Sequence, residues 1–173
     1  EVDIYLLEKT NIENKKYKMI KLNKLLINLI FILKYYFKIN LIFLLENYFK
    51  KICFKKKYDV WHFQSVNYKT LLYIKVLKNL NQKIVVTFHG ADIQKDTDIL
   101  YGYRFDKKYE KLLSETIHLF DRVFAISEDI VRELSFFNFP KEKIIKIPNS
   151  IEINKILNVS KNKIDPNKLK LIT

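Results

Sequence analysis

The chain has 173 residues, enough for one ordinary domain, and its 49% hydrophobic and 29% charged residues exclude a disordered chain. Gly90 and Gly102 are its only glycines, which excludes a glycine-rich phosphate loop within it. Cys53 is the single cysteine, so an internal disulfide and a cysteine-based zinc site are also excluded, and a reducing, cytosolic compartment fits.

The formal net charge of +13 is concentrated near the N-terminus. Residues 15–57 contain twelve lysines and one acid, Glu46, which leaves this stretch at +11. Such a basic stretch indicates an anionic partner: nucleic acid, acidic lipid or a phosphorylated substrate. The alternative is codon bias, because the chain is rich in Lys, Asn and Ile together, as an AT-rich genome would produce.

A short buried strand is predicted at Val2–Leu7, and two helical patterns follow it. Apolar residues in each recur at the spacing of one helical face, which predicts one apolar stripe per helix. The first stripe consists of Leu22, Leu25, Leu26, Leu29, Ile30 and Leu33, and the second of Leu41, Leu44, Leu45, Tyr48, Phe49 and Ile52. The apolar runs here are too short or too interrupted for the roughly 20 residues that span a bilayer.

From residue 58 onward, short apolar strands alternate with helical patterns. The predicted strands are Tyr58–Phe63, Ile84–Phe88, Arg122–Ile126 and Ile144–Ile147; the predicted helices are Tyr68–Leu80, Tyr109–Phe120 and Ser127–Phe137. This alternation predicts an α/β fold with a doubly wound, Rossmann-like parallel sheet. We expect one domain over residues 1–152, a linker over 153–167, and the first strand of another domain at 168–173.

Ligands of an open parallel sheet bind at the carboxyl ends of the strands. The polar residues that follow the predicted strands are therefore candidates, and they are His62, Gln64, Ser65, His89, Gly90, Asp92, Ser127, Glu128, Asn149 and Ser150. His89 is the strongest, because it directly follows an apolar strand and can hydrogen-bond a sugar hydroxyl or a phosphate oxygen. Gly90 beside it allows close approach of the backbone to a ligand.

Structural roles compete with each of these assignments. His89 could tie down its own loop, Asp92 could cap that loop through an Asx-turn, and Ser127 is first a helix cap. Arg104 is either a contact for an anionic acceptor or, more simply, a solvated surface residue. The three histidines and the scattered acids show no metal-ligand spacing, so no metal site is expected.

Four segments occur in an order and at a spacing that resemble a known family. They are YDVWHFQ, IVVTFHGADI, FDRVFAISEDI and PKEKIIKIPNSIE, which together span Tyr58 to Glu152. The chain resembles the N-terminal domain of the family-4 glycosyltransferases, retaining enzymes of GT-B architecture. Ser150 departs from the glycine that the family usually has there, and the family's glycine-rich first βα unit would lie before Glu1.

The resemblance implies two Rossmann-like domains with a cleft between them. The second domain, which would follow this chain, would bind the nucleotide-sugar donor, while this first domain would hold a glycan or lipid-linked acceptor. It implies a catalytic cleft role for His89, with Gly90, Asp92, Ser127, Glu128 and Asn149 lining the acceptor side of the cleft. No metal or other cofactor is expected, and the chain alone should be inactive.

The implied function is that of a hexosyltransferase-type enzyme of polysaccharide or lipopolysaccharide biosynthesis, cytoplasmic or peripheral on the inner face of the cell membrane. The lysine-rich helices of residues 15–57 would then contact an anionic membrane surface, or they are an ordinary core-packed pair with a solvated basic face. Two other functions stay open: a nucleotide-sugar epimerase of the same fold, and a basic module that binds membrane or nucleic acid without catalysis. Specific nucleic-acid binding is not expected, because all three arginines lie outside the basic stretch.

Overall fold

The computed structural model of the chain describes residues 3–6, 18–21, 24–36 and 41–150, with side chains described at 25, 27–33 and 41–150. Its strands are β1 (Asp3–Leu6), β2 (Lys18–Lys21), β3 (Trp61–Phe63), β4 (Ile84–Phe88), β5 (Arg122–Ala125) and β6 (Ile144–Lys146). Its α-helices are α1 (Lys24–Tyr36), α2 (Ile42–Lys56), α3 (Tyr68–Asn79), α4 (Lys107–Thr116) and α5 (Glu128–Phe136). Short 3₁₀ turns lie at Tyr103–Phe105, Ile117–Leu119 and Lys141–Lys143.

Four parallel strands form the main sheet, in the order β3-β4-β5-β6, and a helix follows each of the first three. The strands β1 and β2 pair with each other, also in parallel. This architecture confirms the predicted α/β class and the Rossmann-like parallel sheet. The strand β2, which pairs with β1, was not predicted. The predicted linker at 153–167 and the predicted strand at 168–173 lie outside the described residues.

One face of the main sheet forms the core. Alternate residues of a strand share a face, and on this face Ile84, Val86, Phe88, Val123 and Ala125 are fully buried. The register places Val86 beside Val123 and Phe88 beside Ala125, so the buried side chains of β4 and β5 form adjacent rows. Because both of these strands lie inside the sheet, their backbones are paired on both sides, as continuous apolar strands require.

The helices α3, α4 and α5 each begin at a residue whose side chain caps the helix. Asn67 accepts from the backbone N–H groups of Lys69 and Thr70, and the Thr70 hydroxyl accepts from the Asn67 N–H, which completes a capping box for α3. The Asp106 carboxylate accepts from the backbone N–H groups of Lys108 and Tyr109 and caps α4. The Ser127 hydroxyl accepts from the Ile130 N–H and caps α5, as its sequence position predicts.

The predicted stripe of α2 is confirmed: Leu45 and Phe49 are buried in the core. The predicted stripe of α1 is wrong in part, since Leu25 is 85% exposed and Leu29 is 53% exposed, while Ile27 and Ile30 are buried. The reason is that α1 is apolar almost all round, so periodicity alone does not choose its buried face. Within the described residues, no helix combines the length and hydropathy that crossing a bilayer requires.

Candidate functional site

Asp92 connects the loops that follow β3 and β4. Its side chain is almost fully buried, and one carboxylate oxygen accepts from the backbone N–H groups of His89 and Gly90, each at 3.0 Å. The other oxygen accepts from the Ser65 hydroxyl at 3.0 Å and the Val66 N–H at 3.4 Å. Asp92 therefore sets the positions of both loops at the carboxyl edge of the sheet.

Tyr109 of α4 hydrogen-bonds the backbone at Asp92. The buried Tyr109 hydroxyl lies 2.6 Å from the Asp92 carbonyl oxygen, to which it donates, and 3.3 Å from the Val66 carbonyl oxygen. Burial raises the pKa of the Tyr109 phenol, so it remains a donor throughout the physiological pH range. The loops after β3 and β4 are therefore joined twice, once by the Asp92 carboxylate and once by the Tyr109 hydroxyl, which lies close to a carbonyl oxygen of each loop.

His89 lies directly after β4, and its side chain is exposed. Its backbone N–H is bonded to Asp92, which leaves the imidazole to contact solvent or a bound molecule. Gly90 has a φ of +121°, and a Cβ there would lie 2.9 Å from Gln94 Oε1 and 3.1 Å from the Tyr101 hydroxyl. The space close to Gly90 is therefore occupied by two side chains of this protein, Gln94 and Tyr101.

The loops after β5 and β6 complete this edge of the sheet. Phe88 pairs with Ala125, so the segment of His89 and the segment of Ser127 start side by side. Glu128 forms an ion pair with Lys146 at the end of β6, and this hydrogen bond lowers the pKa of the Glu128 carboxyl. Asn149 is exposed beyond β6.

A polar cavity of about 400 Å³ opens between the loop after β4 and the first turns of α5. Sequence reasoning did not find most of its lining, which consists of Gln94, Lys95, Asp96, Thr97, Tyr101, Asp129, Arg132 and Glu133. Gln94 and Tyr101 are also the side chains that approach Gly90, so the cavity adjoins the His89 segment. Amide, hydroxyl, carboxylate and guanidinium groups in one cavity suit a ligand with many hydroxyls.

His62 lies on the face of the sheet opposite the main core. Its Nε2 is 2.8 Å from the Thr87 hydroxyl, its ring meets Phe124 edge to face, and the Gln64 amide lies 3.4 Å from its Nδ1. Burial lowers the pKa of His62, which favours the neutral ring. This hydrogen bond joins β3 to β4, which is a structural role for His62.

Arg104 is not the solvated surface residue that the sequence suggested, because its side chain is only 4% exposed. Its guanidinium pairs with Glu110 at 3.2 Å and with Glu133, and it donates to the Ile93 carbonyl oxygen. It also stacks on Phe136 and Phe137, with its central carbon 4.9 and 4.7 Å from the ring centroids. Arg104 therefore joins the loop after β4 to α4 and α5.

We expect replacement of Arg104 with Met to lower the free energy of unfolding by about 3 kcal/mol, because it leaves Glu133 without its cation and leaves Glu110 paired with Lys95 alone. Methionine retains much of the apolar packing against the phenylalanines, so the loss reports the charge and its hydrogen bonds. Urea unfolding followed by circular dichroism would measure it. The matched control is Arg132→Met, which removes an exposed ion pair with Asp129 and should cost about 0.5 kcal/mol or less. Equal losses in the two variants would contradict this role.

Within the described residues, no group of three or more His, Cys, Asp or Glu side chains is arranged to hold a metal ion. The family model described as Glycosyltransferase Family 4 matches residues 17–155, a range that includes every candidate residue of the site. A comparison with curated proteins finds no significant match.

Proposed function

Because this chain belongs to glycosyltransferase family 4, we propose that it is the acceptor-side domain of an enzyme that moves a sugar from a nucleotide-sugar donor to an acceptor hydroxyl. The donor would be held mainly by a second domain outside residues 1–173. The sequence resemblance suggests that the anomeric configuration is retained.

The observation that carries this proposal is the exposed His89 side chain at the carboxyl end of β4, one residue before Gly90, which two residues of the cavity lining approach. The backbone N–H of His89 is held by the buried Asp92, and Gln94 and Tyr101 of the cavity lining approach the neighbouring Gly90. A glycan acceptor has the dense hydroxyl groups that such a lining can hydrogen-bond. Asp92 would act through the two loops that it holds rather than on the acceptor itself.

In the proposed reaction, the acceptor oxygen forms a bond to the anomeric carbon, and the bond from that carbon to the nucleotide diphosphate breaks. The leaving diphosphate takes the bonding electron pair, and the acceptor proton passes to a phosphate oxygen. His89 would hydrogen-bond the acceptor or the reacting sugar and hold it in position, which lowers the entropic part of the barrier. Stabilisation of the leaving charge would come from the second domain.

Gly90, Ser127, Glu128 and Asn149 would border the acceptor side of the cleft, since they occupy neighbouring loops at one edge of the sheet. We further propose a hexosyl donor, no requirement for a metal, and a role in polysaccharide or lipopolysaccharide assembly at the cytoplasmic side of a membrane. These three points rest on the resemblance to the family.

A transfer assay tests the proposal. The longest polypeptide that the reading frame encodes would be incubated with a panel of nucleotide-diphospho-hexoses and glycan or lipid-linked acceptors, with and without EDTA. We expect one donor to give a glycosylated acceptor with the donor's anomeric configuration, measured from proton NMR couplings, at a rate that EDTA leaves unchanged. Residues 1–173 alone should give no product.

The same assay separates the proposal from an epimerase of similar fold. An epimerase would change the sugar of the nucleotide donor in the absence of any acceptor, and the NMR spectrum of the donor would reveal it. Epimerised donor, or no transfer from any nucleotide-sugar by a polypeptide with both domains, would contradict the proposal.

A further inference from the structure

The cations that line the polar cavity already have partners. Each of its two cations pairs with an acid, and one of its acids pairs with a buried cation. The pairs are Arg132 with Asp129, Lys95 with Glu110, and Glu133 with Arg104. An acidic ligand would therefore have to compete with a carboxylate of the protein for either cation of the lining.

Asp96 is the one acid of the lining that forms no ion pair within the described residues. Instead, one of its carboxylate oxygens accepts from the backbone N–H groups of Asp98 and Ile99, at 3.0 and 3.4 Å. The lining carries three acids and two cations, which leaves it a formal charge of −1. Since the uncompensated charge of the cavity is negative, an acidic ligand is disfavoured.

The uncharged polar side chains of the lining are available to a ligand. The Gln94 amide, the Thr97 hydroxyl and the Tyr101 hydroxyl form no hydrogen bond with any described part of the chain. Together they offer donors and acceptors without a formal charge. A neutral ligand with several hydroxyl groups can bond to these side chains and leave every ion pair of the cavity intact.

The loop that carries these side chains is tightly closed. Asp96 and Tyr101 exchange two backbone hydrogen bonds, of 2.9 and 3.0 Å. Gly102 follows with a φ of +114°, and a Cβ there would lie 1.9 Å from the Gln94 carbonyl oxygen, so the two backbone segments are in close contact. A loop fixed in this way has little freedom to lose when a ligand binds, which favours affinity.

Tyr101 adds an aromatic surface to the cavity. Its side chain belongs to the lining and is still 41% exposed. A tyrosine ring is an apolar surface with a polar hydroxyl at one end. A hexopyranose likewise has a face of C–H groups beside its hydroxyls, so it can pack on such a ring while it hydrogen-bonds the amide and hydroxyl groups nearby.

We propose that the cavity is a subsite for an uncharged hexose residue of the acceptor, that the ring of Tyr101 packs against this sugar, and that Asp96 disfavours acidic sugars. The inference rests on the proposed function and narrows its substrate class, because it separates neutral glycans from glycans that present a uronic acid. The carboxylate of a uronic acid would be repelled by Asp96, and it would have to displace Asp129 to reach Arg132.

Sugar binding by residues 1–173 tests the proposal without a sugar donor. The probes are the methyl glycosides of glucose, galactose and mannose, each paired with the methyl glycoside of its uronic acid. Affinities would be measured by NMR chemical-shift titration at about 0.15 M salt, where charges more than about 8 Å from the sugar are largely screened. We expect at least one neutral glycoside to bind, and its uronic acid to bind about tenfold more weakly.

The role of Asp96 is tested by its replacement with Asn. Asp96→Asn should bring the affinities for that pair of sugars to within about twofold of each other, because it removes the charge. Asparagine keeps the side-chain oxygen that accepts from the Asp98 and Ile99 N–H groups. The matched control is Asp98→Asn, which removes an exposed acid of the same loop outside the lining and should preserve the tenfold difference.

The role of Tyr101 is tested by its replacement with Ala. Tyr101→Ala should weaken binding of the neutral glycoside about tenfold, because it removes the aromatic surface and the hydroxyl. The control Ile99→Ala removes part of an apolar side chain that is 72% exposed in the same loop but outside the lining, and it should leave this affinity unchanged. Circular dichroism would verify that each variant is folded.

The proposal is overturned if no neutral glycoside binds, or if the uronic acid of the pair binds as tightly as the neutral sugar. Unchanged binding by Tyr101→Ala, or equal effects of Asp96→Asn and Asp98→Asn, would overturn it as well. Its failure is distinguishable from a failure of the proposed function. Transfer to an acidic acceptor would support the transferase and contradict this subsite, whereas an absence of transfer would leave the binding results unaffected.

Discussion

Replacement of Asp92 with Ala is expected to lower the free energy of unfolding by about 4 kcal/mol. The carboxylate is 2% exposed and accepts four hydrogen bonds, three of them from backbone N–H groups. Alanine would leave these buried or half-buried donors without a partner, and the cost of unsatisfied donors exceeds the net gain of an ordinary hydrogen bond. Urea unfolding monitored by circular dichroism measures the loss.

Two further substitutions make the Asp92 result specific. Asp98→Ala changes an exposed aspartate in the same loop and should alter the free energy of unfolding by about 0.5 kcal/mol or less. Asp92→Asn keeps one acceptor oxygen but turns an amide donor toward other donors, so we expect a loss of about 2 kcal/mol. If Asp92→Ala is no more destabilising than Asp98→Ala, the carboxylate does not hold the two loops together.

Replacement of His89 with Ala is expected to lower kcat/KM for sugar transfer by about 10²-fold while the free energy of unfolding changes by about 0.5 kcal/mol or less. The side chain is exposed, and the bond that ties this position to Asp92 comes from the backbone N–H, which alanine retains. The rate would be measured on the polypeptide that contains both domains, with the donor identified in the transfer assay.

His118→Ala is the matched control for His89. His118 is also exposed, but it lies in the 3₁₀ turn after α4, on the path into β5 and away from the carboxyl ends of the strands. Its replacement should leave kcat/KM unchanged. Similar rates for the His89 variant and the unsubstituted enzyme, or a matching loss in the His118 variant, would remove His89 from the reaction.

Much of the fold could be predicted because local patterns specify it. The strand at Ile84–Phe88 and the cap at Ser127 are where the sequence places them, since a continuous β-branched run and a serine before two acids each have a local physical cause. The predicted strand at Tyr58 instead begins at Trp61. The first bond to its neighbour is donated by Trp61 to the Lys83 carbonyl oxygen, so the partner strand decides where β3 starts.

The candidate site was predictable only as a set of positions. Strand ends placed His89, Asp92 and Ser127 on one edge of the sheet, because parallel strands bring their carboxyl ends together. For the cavity residues Asp129, Arg132 and Glu133, the sequence contains one indication. Arg132 and Glu133 follow Asp129 by three and four residues, a spacing that puts all three on one face of α5. No sequence pattern indicates that Gln94 and Tyr101 line the cavity, because their positions depend on how the loop after β4 folds back on Gly90.

The sequence by itself determined the order of strands and helices, the family and the edge of the sheet that holds the candidate site, because each follows from short-range patterns and motif spacing. Only the tertiary structure decided which side of α1 is buried, and it alone made Arg104 a buried ion-pair centre with Glu133, 29 residues away. An almost wholly apolar helix can bury any side, and a charge becomes buried only when distant partners surround it. Long-range packing therefore decided both features.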